Sequence, residues 1–157
     1  MSLEEITSSE ELQEMGPIDY VVLEWPKQQQ QPAGEVAPMI LDLVDRGIIR
    51  ILDVAFLAKE EDGSIIALEA GASEGAAGAF GEFEGASSGL INDEDLADAA
   101  SVLEPGTSAA LLVWENRWAA PVAVALRRSG GQLVASGRIP IQAILAALDA
   151  VEAETAS

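Results

Sequence analysis

The chain contains no cysteine and no histidine, and aromatic residues make up only 4% of it. Without thiols there can be no disulfide, thiolate metal centre or thiol nucleophile. Without imidazole there is no ordinary neutral-pH base and no histidine ligand for haem or zinc. Positive charge is scarce as well, since 8 Lys+Arg against 27 Asp+Glu leave a formal net charge of −19. A nucleic-acid duplex or an anionic membrane surface would repel such a chain before contact, so no nucleic-acid partner is expected. Apolar runs are short. None approaches the roughly 18 residues of a membrane helix, and the stretch 48–58 is broken by Arg50 and Asp53. The first sixteen residues carry five glutamates and no basic residue, the reverse of a secretory leader, so a soluble, cytoplasmic protein is expected.

What is present is a chain of 157 residues, 49% of them hydrophobic, enough for one domain with a sizeable core. Residues 1–16 read as a mobile acidic tail and 17–154 as a single α+β domain. Tyr20-Val21-Val22-Leu23 marks a first strand over 18–25, ended by Pro26. Pro38 suits a first helical turn, Ile40, Leu41 and Val44 form an apolar face, and Gly47 closes the helix. A strand over 48–59, the turn Glu60-Glu61-Asp62-Gly63-Ser64 and a strand over 65–70 predict a hairpin. The segment 71–89, with Gly71, Gly75, Gly78, Gly81, Gly85 and Gly89 among Ala, Ser and Glu, reads as a long surface loop anchored only by Phe80 and Phe83. No Gly-Lys-Ser/Thr follows these glycines, which sets aside a phosphate cradle.

Asn92 offers an N-cap to a helix whose buried stripe is Leu96, Ala99, Ala100 and Leu103, ending at Pro105-Gly106. Its acids Asp93, Glu94, Asp95 and Asp98 suit the positive end of the helix dipole and lack the ligand spacing of a calcium loop. A strand over 108–115, a helix over 118–128, a strand over 132–139 and a closing helix over 140–152 complete the chain. The closing helix has Ile141, Ile144, Leu145, Leu148 and Val151 as its apolar positions.

At an offset of 83 residues, Ala37-Pro38 through Gly47 superposes on Ala120-Pro121 through Gly130. Each copy is preceded by a strand ending in Trp and Glu and followed by another predicted strand. Two such β-α-β units predict a ferredoxin-like sandwich, with an extra hairpin strand and a C-terminal helix, and with both helices on one sheet face. The opposite face would then need a cover, either the extra hairpin and the closing helix or a second subunit.

The segments at 43–58 (LVDRGIIRILDVAFLA), 93–112 (DEDLADAASVLEPGTSAALL) and 127–137 (RRSGGQLVASG) resemble a bacterial family of uncharacterised proteins. The most specific piece is Leu103-Glu104-Pro105-Gly106-Thr107-Ser108. The resemblance implies a fold, with a strand–turn–strand, a glycine-rich stretch, a short acidic helix and a Gly-Gly strand in that order, and it implies no catalytic residues. Relatives with a glycine-zipper insert imply membrane contact at 71–89. Here Glu74, Glu82 and Glu84 interrupt that stretch, and no membrane insertion is expected.

Three tryptophans carry most of the aromatic surface, so Trp25, Trp114 and Trp118 are the candidate interface or ligand residues, Trp25 and Trp114 being expected together near one edge of the sheet. Arg117 is a candidate ion partner for Glu115 or Glu24. Core packing is the competing role for the tryptophans. No catalytic residue, metal site or cofactor is expected; an enzyme would have to use carboxylates with Tyr20 or arginine. The leading expectation is a non-enzymatic protein that acts through homo-oligomer assembly or by binding a partner protein. The alternative is a small-molecule-binding or sensory module with a cleft near the tryptophans.

Overall fold

The computed structural model describes residues 13–26, 34–68, 80–83 and 88–155. Their architecture is mixed α and β. Four strands, β1 (Ile18–Pro26), β2 (Ile49–Lys59), β3 (Ile65–Leu68) and β4 (Thr107–Asn116), form one antiparallel sheet in the order β1-β4-β2-β3. Four helices accompany it: α1 (Val36–Asp45), α2 (Asp93–Val102), α3 (Ala120–Arg128) and α4 (Ile141–Thr155).

Local chemistry accounts for most of these boundaries. The β2–β3 hairpin closes where the Glu60 amide donates to the Ser64 carbonyl at 2.8 Å, and Gly63 takes the positive φ that the turn requires. At α2 the Asn92 side chain accepts from the Asp95 amide at 2.9 Å while the Asp95 carboxylate accepts from the Asn92 amide at 3.0 Å. This reciprocal capping box satisfies two donors that the first helical turn leaves free.

β4 is the centre of the molecule, with Ala109, Ala110, Leu111 and Leu112 fully buried. A strand buried on both faces needs a cover on each, and the two apolar clusters supply them. On one face Leu112, Ala110, Phe56, Val54, Val21 and Leu23 pack under α1 through Ala37, Ile40, Leu41 and Val44. On the other, Leu111, Ala109, Leu57, Ala55 and Val22 pack under α2 through Leu96, Ala99 and Ala100. At Leu52 the register between β2 and β4 shifts by one residue, and Leu52 joins Met15 and Val113 on the α2 face.

The one-sided, ferredoxin-like arrangement is therefore not what the chain builds. The central pair of strands is β4 and β2, whereas that fold places the first and third strands at the centre, and here α1 and α2 lie on opposite faces. The handedness rule concerns a crossover that returns directly to the sheet. The connection from β3 to β4 spans residues 69–106 and visits both faces, with Phe80 and Phe83 on the α1 side and Ile91 and Leu96 on the α2 side. The internal repeat also fails at its last element, because 132–139 forms no strand and is exposed throughout.

Two further expectations change. Phe80 is fully buried and stacks against Phe56 and Phe83 at centroid distances of 5.3 and 5.6 Å, so part of the glycine-rich segment is core. Residues 71–79 and 84–87 of that segment, and residues 1–12 of the acidic head, lie outside the described residues. The core begins before residue 17, since Met15 is buried and Gly16 sits so close to the Asn116–Ala120 turn that a Cβ would collide with the Asn116 carbonyl oxygen.

Candidate functional site

Trp25 does not lie beside Trp114. Trp25 pairs in register with Ser108 and Trp114 with Asp19, which puts them at opposite ends of β1 and β4, some six residues or about 20 Å apart. Both are half-buried against the cluster beneath α1, the packing role. Trp118 is 67% exposed, just ahead of α3. Its indole and that of Trp114 both donate to the Asn116 side-chain oxygen, at 3.3 and 3.2 Å. The surface grooves along Pro121, Val124 and Arg128 and along Pro38, Met39 and Leu43 contain no tryptophan.

Arg117 is exposed and does not take the expected ionic role. The buried Glu115 is met by Arg50 at 3.0 Å and accepts from the Gly16 amide at 2.8 Å. Glu24 accepts from the Glu104 amide at 2.9 Å and from the Thr107 hydroxyl at 3.3 Å. The distinctive Leu103–Ser108 run is thus a joint between helix and strand. Lys59 reinforces it from β2, its ammonium donating to the carbonyls of Ala100 and Leu103 at 2.9 and 3.0 Å and closing the end of α2. Asp53 is a third structural acid. It is buried at the bulge and accepts from the Ile91 amide at 2.8 Å, docking the segment that leads into α2.

These charges hold elements of the fold together. Among the described residues no cluster of three or more carboxylates is placed to hold a metal ion, and no helix is long and apolar enough to cross a membrane.

The C-terminal arm leaves an apolar stripe exposed. Residues 132–139 form no regular element and are exposed, and α4, which follows them, buries no residue. Its stripe stands in solvent, with Ile141 69%, Ile144 45%, Leu145 54%, Leu148 55% and Val151 56% exposed. Arg138 holds the arm to β1 through an exposed ion pair to Asp19 at 2.8 Å. Sequence periodicity marks these same apolar positions, but it carries no information on whether the stripe finds its cover within the chain.

A family described as a family of unknown function (DUF6325) matches residues 14–157. No curated protein and no solved structure matches the chain.

Proposed function

The chain belongs to this family of unknown function, and we propose that it is a cytoplasmic, non-enzymatic protein that acts by self-association through its C-terminal arm. The observation that carries this reading is the exposed stripe of α4. An isolated helix of about 12–15 residues is marginal in water. A helix of 15 residues with five large aliphatic side chains on one side gains its stability from whatever covers them. The sheet does not need that cover, because α1 and α2 already occupy its two faces. The need for a partner has thus moved from the sheet to the arm. Burying one such side chain is worth roughly 1.5–3 kcal/mol, so the stripe offers enough apolar area for reversible association. Sedimentation velocity on the full chain over the micromolar range tests this. A mass above that of one chain is expected, and a single-chain mass at every concentration contradicts the reading.

A further inference from the structure

We propose that α4 pairs antiparallel with α4 of a second copy about a two-fold axis passing near residue 146, and that Arg138 of each copy reaches the acidic end of the other helix. This rests on the self-association reading and specifies its geometry.

The spacing of the stripe is the first argument. Ile141, Ile144, Leu148 and Val151 recur at intervals of three, four and three, which reads the same in both directions. Turned end for end, the helix presents the same stripe, with Ile141 facing Val151 of the second copy and Ile144 facing Leu148. This is the self-complementary patch that an isologous contact requires. Leu145 flanks the axis and meets its own counterpart.

Charge is the second argument. Every charged residue of α4, Asp149, Glu152 and Glu154, lies in its C-terminal half, and Glu152 falls on the same side as the apolar stripe. A parallel pair would set these acids against their counterparts on chains that each carry −19. The antiparallel pair separates them and brings each acidic end to the helix N-terminus of the other copy, where negative charge is favoured. Arg138 lies three residues before α4, which brings it to the last turn of the facing helix, where Glu152 and Glu154 lie. Its present ion pair with Asp19 is 70% exposed on the arginine side and so is readily exchanged.

Because the chain has no cysteine, single-cysteine variants report this geometry cleanly. In the antiparallel pair Ile141 and Val151 of opposite copies face each other, whereas two copies of Ile141 stand about 15 Å apart at 1.5 Å rise per residue, beyond the reach of a disulfide. Full-length I141C and V151C are oxidised separately and after mixing and re-equilibration, beside light scattering of the untreated chain. The expected result is a dimer mass, with a covalent dimer from the mixture and at least tenfold less from either variant alone. Efficient crosslinking of each variant with itself overturns the antiparallel geometry while leaving self-association standing. A dimer mass with no crosslink in any sample removes α4 from the interface and overturns the proposal. A single-chain mass for the untreated chain overturns both this proposal and the reading it rests on.

Discussion

Arg50 and Glu115 face each other across β2 and β4 with Arg50 Nε 3.0 Å from Glu115 Oε1, and the Glu115 side chain is 6% exposed. The second carboxylate oxygen takes the Gly16 amide at 2.8 Å, so one acid ties the chain before β1 to one end of the two central strands.

Removing one partner of a buried pair strands the other, at a cost of about 3–5 kcal/mol. Arg50 is a quarter exposed and recovers some hydration, so Glu115→Ala is expected at the lower end of that range, with Glu115→Gln milder because an amide oxygen still accepts from Gly16. Urea denaturation of the two variants checks this ordering, and equal losses would contradict it.

Lys59→Met removes the ammonium that closes α2. Its two bonds to the Ala100 and Leu103 carbonyls are charge-assisted, and losing them is expected to destabilise by about 1.5–3 kcal/mol. Hydrogen exchange should accelerate in α2 while β4 stays protected. Uniform acceleration would mean that α2 does not open separately.

Trp114 lies half-buried in the cluster beneath α1, while Trp118 is 67% exposed. Trp114→Ala should therefore cost clearly more than Trp118→Ala, up to the roughly 3–5 kcal/mol of a core aromatic. Chemical denaturation of both variants decides it, and a larger loss at Trp118 would reverse the assignment of core and surface.

The Tyr20 phenol is held above its ordinary value of 10.0 by partial burial and by the negative charges of Asp95 and Asp98 on α2. The folded state thus keeps its proton longer than the unfolded one. The resulting stabilisation is full below about pH 10 and is lost as the pH rises through the folded value. Ultraviolet titration of this single tyrosine should give a midpoint above 10.0, lowered by Asp98→Asn. A midpoint at 10.0 or below would contradict the placement of α2.

The parts of the fold legible in the sequence are those where one residue type answers a local need. Pro26 ends β1, Gly63 makes the hairpin turn, and Asn92 caps α2. The layering was not legible, because the side of the sheet on which a helix lands depends on the path of a long connection. Phe80 shows this most clearly. Its glycine-rich surroundings suggest a loose surface loop, yet two phenylalanines suffice to seat that turn against Phe56. The residues 132–139 alternate as a strand should, but alternation states only that one face wants cover and names no neighbour. Trp25 misleads for a related reason, since rarity in composition does not bring it to Trp114, whose indole shares the Asn116 oxygen with Trp118 instead.

The most direct test of the account is light scattering of the full chain beside a Leu145→Gln/Leu148→Gln variant, at low and high ionic strength. The full chain is expected to be dimeric, and more so as salt screens the repulsion between copies that each carry −19. The variant is expected to be a monomer with an unchanged sheet, because neither side chain belongs to the core of its own chain. A full chain that stays monomeric under both conditions, or a variant that keeps the dimer mass, would contradict the assignment of α4 as the association surface.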